Sequence, residues 1–592
     1  MSEFNDKVYD VVIMGGGPAG ATLASLLKRQ TNLSVAIFES EFFPRDHIGE
    51  SFVHTIVPTL QESGALAKVM ASECYVKKAG GYYVWGNQPW ITFFEHQEHV
   101  KDGHIRWSVH ANRPEFDQIL LENARSQGVE VFEGTPVTGV RRWGDITKVT
   151  LGDLGSTSCR VFVNCSGRTG NTTITGERPF LSKYQNIAIW NHIIGGKSAQ
   201  TLPGDWNIFR ERNLSPIGCF AFDDGWFWYI PVPKVVQGKR VITHSLGLVT
   251  DPAALKNPAK RFTDGRIFME TARNVPFLKE LVKDAELIAD RFLTAPNYSR
   301  ISGKMCEFDS GEIRVGDAAY FVDPLFSSGV HFALMHASAA VPLIKAYFDG
   351  EMPENYKREL WDDYDRVLKG LAHAFGLGID QWYAEIARNK PESVYWAKRG
   401  SMPLMDMRRE TFQGLVNGGL HGDLVQVITR GTNNMSSLGK EGALSRTLAQ
   451  LERMEPSPTA RIRMKPNVAI KASLTLEGGG YSPDGKPPAF VHGPYWTDPD
   501  KYANEVRPLF AEPIPCHRFY FSDGSAVDQV KFVDAMHGGM AIHAALRDES
   551  VEYGSFKEKL TPAQQHVLIH LLLADMLVVE GGQLDKLPSG LG

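Results

Sequence analysis

The chain has 592 residues, too many for one hydrophobic core, so two or three domains are expected. With 43% hydrophobic residues, 22% charged residues and a formal charge of −5, it has an ordinary globular composition and lacks the basic balance of a nucleic-acid binder. Its six cysteines include no C-x-x-C pair, which argues against a disulfide framework or a zinc site, so no metal is expected. The polar start "MSEFNDKVYD" is unlike a signal peptide, and no apolar run approaches about eighteen residues. A cytoplasmic protein with no membrane or nucleic-acid partner is expected.

The first element in chain order is the most specific. "YDVVIMGGGPAGATLASLLKRQTNLSVAIFESE" reads as a buried strand over Val11–Met14, a G-x-G-x-x-G loop at Gly15, Gly17 and Gly20, and a helix with small residues on its packing side. A second strand over Ser34–Phe38 ends in Glu39, nineteen residues beyond Gly20. Gly15 permits the strand-to-helix turn, Gly17 admits a pyrophosphate and Gly20 lets the helix pack closely. The helix N-terminus offers N–H groups to phosphate, and Glu39 would accept from a ribose. The residues assigned to a dinucleotide here are Gly15, Gly16, Gly17, Ala19, Gly20 and Glu39.

Further along, "NRPEFDQILLENARSQGVEV" places Arg113 just before a helix and a following strand, and "VFVNCSG" is another apolar strand. "GWFWYIP" at 225–231 alternates Trp226, Trp228 and Ile230 with Phe227 and Tyr229, the pattern of a strand apolar on both faces. Core packing alone would explain such a run. "IRVGDAAYFVDPLFSSGVHFALMHASAA" reads as a strand, an acidic turn at Asp317, a proline loop and a long apolar helix. Residues 354–380 are helical by periodicity, with Tyr356, Leu360, Tyr364, Leu368 and Leu371 on one side. The Pro/Gly-rich stretch 455–500 reads as loops with a hairpin, and 561–582 as a helix followed by a short strand.

The serial order of Gly-rich loop, Arg113 helix and late Gly-Asp segment resembles the FAD-dependent aromatic-hydroxylase superfamily. Within it the chain resembles the flavin-dependent halogenases. "GWFWYIP" fits their W-x-W-x-I-P signature, "FVDPLFSSG" their F-x-x-P-x-x-S-x-G loop, and "KKAGGYYVWG" their lysine motif, with Tyr83 where Phe is usual. "FPRDHIGES" matches their segment after the second strand. The "YVKK" entry to the lysine motif and the long C-terminal region tilt the resemblance toward the chloramphenicol-biosynthesis branch of the family.

The resemblance implies an α/β, FAD-binding Rossmann-like fold of the aromatic-hydroxylase type. Residues 1–350 would form the flavin core, with an inserted substrate sheet over about 75–110 and 180–300. Residues 351–592 would form a mainly helical domain capping the substrate end. Arg113 would contact the cofactor, Asp317 would hold the ribityl chain, and Glu50, Pro324 and Val330 would complete the flavin site. Ser328 and Gly329 would hold chloride, and Trp226, Trp228, Ile230 and Pro231 would separate flavin from substrate. Lys78 would be the catalytic lysine, with Lys77 as the neighbour one position away. The implied activity is that of an FADH2-dependent halogenase using O2 and chloride or bromide, served by a separate flavin reductase. Phe326 stands where tryptophan halogenases carry a glutamate. This points to a phenol, pyrrole or enolisable acyl substrate, free or carrier-bound, in natural-product biosynthesis. The alternative on the same fold is an FAD-dependent monooxygenase or reductase.

Overall fold

The computed structural model describes residues 7–94, 107–169, 178–181, 185–211, 213–296, 299–400, 456–478, 510–525, 529–532 and 538–580. Val8–Met14 forms a strand whose Val11, Val12 and Ile13 are fully buried. Burial on both faces demands partners on both edges and helices above and below. The partners are Val35–Phe38 and Ser156–Asn164, both parallel. The parallel order runs Glu312–Arg314, Ser156–Asn164, Val8–Met14, Val35–Phe38, Glu130–Phe132. Helix Pro18–Gln30 covers this sheet and packs against helices Arg113–Ser126 and Gly329–Phe348.

A second sheet carries the aromatic run. Its order is Glu286–Leu287, Ile187–Ile194, Lys239–Thr250, Gly225–Val236, Ser215–Phe222, Tyr75–Val84 and Pro89–Phe93. Leu293–Pro296 and Ser108–Ala111 add to it alongside. Gly225–Val236 lies in the middle and is buried from Gly225 through Pro233, so both faces of "GWFWYIP" are covered as expected. Trp226, Trp228 and Ile230 face one way, while Phe227 packs on Phe222 and Phe268, and Tyr229 stacks on His244. Residues 95–106 of the expected inserted region lie outside the described residues.

Helix Glu354–Arg388 buries Leu360, Tyr364, Leu368 and Leu371 as its periodicity predicts. The stripe continues through Phe375, Ile379, Trp382 and Ile386 into the core shared by both sheets, so this core runs past residue 350 through Trp396 and takes in Leu474. A separate core gathers Ile462, Phe519, Phe532, Ile542, Leu546, Val567 and Leu571. Its described residues are mixed strand and helix. Val468–Gly478 pairs with Phe510–Phe521, and Arg461–Met464 pairs with Leu577–Glu580. The reason is visible in "VAIKASLTLEG", where apolar residues recur every second position, a strand period. The two strands between 461 and 478 therefore pair with distant partners instead of forming a local hairpin, and residues 479–500 lie outside the described residues. Helix Pro562–Leu573 and strand Leu577–Glu580 follow the reading of 561–582.

Candidate active site

A cavity of about 630 Å³ opens where the C-terminal ends of the parallel strands meet the second sheet. Gly15, Gly17, Ala19, Glu39, Arg113 and Asp317 line it, together with Trp226, Trp228, Ile230, Pro324, Gly329 and Val330. Gly15 has φ +107°, and a Cβ there would lie 2.5 Å from the Cys165 carbonyl oxygen. At Gly20 a Cβ would sit 2.0 Å from the Gly15 carbonyl oxygen, so its hydrogen lets the helix close on the loop. Gly17 is different. Its φ is −66°, and the nearest atom to an added Cβ is an Arg45 guanidinium nitrogen at 3.5 Å. Neither backbone conformation nor packing within the protein requires glycine there. What its hydrogen leaves open is the approach of a ligand to the N-terminus of Pro18–Gln30, which has no acidic residue in its first turn.

The polar groups around the cavity fit a dinucleotide such as FAD. Glu39 accepts the Gly16 N–H at 2.7 Å on Oε2, and the Glu41 N–H at 2.9 Å and the Ser40 hydroxyl at 3.1 Å on Oε1, so Oε2 keeps a further acceptor site for a ribose hydroxyl. Arg113 makes a bidentate pair with Asp117, 2.8 Å at each contact, and donates to the Ile48 carbonyl at 2.6 Å. It thereby pins the segment that delivers Glu50 to the cavity. Burial would push the Glu50 carboxyl up, but His192, 2.7 Å away through Nε2, holds it below the usual range. Burial pushes the Asp317 carboxyl up to about 6, opposed by the nearby Arg168, Arg113 and Arg178.

The facing wall is aromatic. The Trp226 and Trp228 ring centroids are 6.1 Å apart, and both indoles line the cavity. Gly247, opposite Trp228 in the next strand, makes room for this: a Cβ there would fall 2.0 Å from the Trp228 ring. Pro231 does not line the cavity. Strand alternation puts it with Phe227 and Tyr229 on the far face, so the wall consists of Trp226, Trp228 and Ile230 without it. Gly16 and Gly20 also stand behind the lining, the first bonded to Glu39 and the second packed on Gly15. The long helix begins at Gly329. Ser328 occupies its N-cap position but makes no side-chain cap bond; its Oγ is buried with no hydrogen-bond partner among the described residues.

Lys78 lies outside the flavin-side cavity, on strand Tyr75–Val84 between Ser108 and Ser215 of the neighbouring strands. It is only 2% exposed and has no ion pair among the described residues. Its Nζ stands 5.5 Å from the Phe94 ring centroid. Burial pushes its pKa down to about 7. His110, also buried, is held neutral by burial and by the adjacent lysine. Lys77 points to the opposite face, half-buried, with its ammonium 5.0 Å from the Trp107 ring centroid. Alternation along the strand thus distinguishes the two lysines. Phe326 is buried with its ring 6.2 Å from Tyr83, on the aromatic side of the lysine strand.

Several contributors escaped the sequence reading. Arg45 stands beside Gly17, in the already noted "FPRDHIGES" segment. Gly247 had a signal, a lone glycine inside a strand pattern, which marks a close approach. Asp323, His192 and Tyr383 had none, because their partners are remote in sequence. Among the described residues no cluster of His, Cys, Asp and Glu could hold a metal, and no helix is long and apolar enough to cross a membrane.

A parallel sheet with this glycine loop, terminal glutamate and aromatic-walled cavity defines an FAD-binding flavoenzyme. The family model described as tryptophan halogenase matches residues 10–102 and 92–419. The chain belongs to that family and is a flavin-dependent halogenase, which decides against the monooxygenase and reductase alternative. Tryptophan 2-halogenase of Chondromyces crocatus is 30% identical over 394 residues, 65% of this chain and 69% of that one. The 1H-pyrrole-2-carbonyl-[peptidyl-carrier protein] chlorinase of Pseudomonas fluorescens is 29% identical over 405 residues, 64% of this chain and 83% of that one. The crystal structure of CmlS, a flavin-dependent halogenase, shares the fold with a TM-score of 0.66 at 21% identity, over 98% of each chain.

Proposed function

We propose that this enzyme receives reduced FAD from a separate reductase, and that Lys78 directs hypohalous acid onto an electron-rich phenol, pyrrole or enolisable acyl substrate. The observation that carries the proposal is a buried lysine without an ion pair among the described residues, placed outside a flavin-side cavity that is walled by two tryptophans. Reduced FAD would supply two electrons and two protons, so that O2, a halide ion and one further proton give hypohalous acid and water. Trp226, Trp228 and Ile230 exclude water and bulky substrates from the flavin side by filling the wall. The N-terminal amides of Gly329–Phe348 and the buried Ser328 hydroxyl suit a halide, chloride or bromide, beside the cofactor.

Near pH 7 Lys78 divides between ammonium and amine. The ammonium can hold hypohalous acid by a hydrogen bond. The amine can attack the halogen: an N–halogen bond forms, the O–halogen bond breaks, and the hydroxide leaves as water with the proton released from nitrogen. In either route the halogen passes to a substrate carbon that then loses a proton. No carboxylate stands at position 326 to assist, so the substrate must bring its own electron density. The relative that acts on a carrier-bound pyrrole supports this class, and a carrier-tethered form of it. A competing indole substrate is favoured by the relative named tryptophan 2-halogenase. A panel of free tryptophan, a phenol, a pyrrole and a β-ketoacyl thioester, assayed with reductase, NADH, FAD, O2 and halide, decides between them. Fastest halogenation of tryptophan would remove the substrate class proposed here.

A further inference from the structure

The two tryptophans of the cavity wall are fixed by different parts of the molecule. Trp228 donates its indole N–H to Ser245 Oγ at 3.1 Å, in the adjoining strand of its own sheet. Trp226 donates to the Tyr383 hydroxyl at 2.8 Å, on helix Glu354–Arg388, 157 residues further along the chain. The Tyr383 hydroxyl lies 3.2 Å from both carboxylate oxygens of Asp323. Asp323 in turn accepts the Leu325 N–H at 3.1 Å, inside the loop that delivers Pro324, Ser328 and Gly329. Trp226, Tyr383 and Asp323 are all buried. An indole N–H can only donate, so the phenol oxygen accepts from it and can donate its own proton to Asp323. Bonds thus link the partition to the phenol, and the Asp323 carboxylate accepts from both the phenol and the loop backbone. The neighbouring Trp382 packs 5.2 Å from Trp85, which follows the lysine strand. One turn of a single helix thus touches the partition, the loop before the long helix and the aromatic side of the lysine strand.

We propose that Tyr383 and Asp323 are positioning residues that lock the Trp226 ring across the cavity and set the 323–329 loop against it. This rests on the reading of Trp226 as part of the partition. Tyr383→Phe removes one oxygen and keeps the ring. It is expected to lower the fraction of FADH2 oxidised that appears as halogenated substrate by about tenfold, the remainder appearing as peroxide or free hypohalous acid. FAD affinity is expected to stay close to the wild-type value. Asp323→Asn, which keeps an acceptor for the phenol, should retain more of this coupling than Asp323→Ala. A second readout does not depend on turnover. Trp226 lines the cavity, where its indole is expected to quench the fluorescence of bound oxidised FAD, so a freed ring in Tyr383→Phe should add a longer lifetime component, as Trp226→Phe also should. A purely structural tyrosine would lower thermal stability and leave both the partition ratio and the lifetimes unchanged, and that result overturns the proposal. If the wild-type enzyme formed no halogenated product, the functional reading would fail, and the lifetime comparison would still decide the positioning role.

Discussion

Replacing Lys78 by methionine separates what the buried charge costs the fold from what it gives the reaction. The unfolded chain keeps the Lys78 proton up to about pH 10.5, whereas the folded protein releases it near 7. Between these values the unfolded state holds more protons, so wild-type stability rises with pH through the window, and below 7 the penalty for charging Lys78 is present in full. Moving the lysine from 10.5 to about 7 corresponds to about 5 kcal/mol against the charged form, an upper bound because buried sites relax and admit water. About 2 kcal/mol of that penalty should disappear between pH 7 and pH 9. Lys78→Met fills a similar volume without a charge. It should be more stable than wild type at pH 7, by more than it is at pH 9, in paired urea titrations of the FAD-saturated proteins. Halogenated product should fall by a factor on the order of 10² to 10⁴ while FADH2 oxidation continues. A variant whose stability difference from wild type is the same at both pH values would refute the burial argument. A variant that still halogenates at the wild-type rate would refute the role of Lys78 and transfer it to Lys77.

Gly17→Val should abolish FAD binding, measured by flavin fluorescence titration, while the protein stays folded, because no protein atom lies within 3.5 Å of the added Cβ. Gly247→Ala should displace the Trp228 ring and cost about 1–3 kcal/mol in urea denaturation, since its Cβ would fall 2.0 Å from that ring. NADH alone should reduce bound FAD slowly in stopped-flow absorbance, because the chain carries a single dinucleotide fingerprint; fast reduction without a reductase would count against a two-component system.

The flavin end of the molecule was legible because its determinants are local. Gly15, Gly17, Gly20 and Glu39 fall within one strand–helix–strand unit, and their spacing alone states the geometry that the Gly16–Glu39 hydrogen bond and the open approach at Gly17 display. The strand period of "GWFWYIP" likewise assigned Trp226, Trp228 and Ile230 to one face. The same period argued against Pro231, which family resemblance had grouped with them. Long-range contacts were not legible. Nothing about a tyrosine near the end of a helix announces a bond to an indole 157 residues earlier, or to Asp323. The choice between Lys77 and Lys78 rested on motif register, and only the packed strand shows why one is buried and the other half-exposed. In the C-terminal third, the period-2 pattern of "VAIKASLTLEG" is a local strand signal, and Val468–Gly478 is a strand.

The most direct test of Lys78-directed halogenation is mass spectrometry of the product formed by the purified enzyme with reductase, NADH, FAD, O2 and equal chloride and bromide, run beside Lys78→Met. The account predicts a product with a halogen isotope pattern on the phenol, pyrrole or acyl substrate, absent from the variant although both consume O2. A product heavier by one oxygen and free of halogen, or equal halogenated product from both proteins, would contradict it.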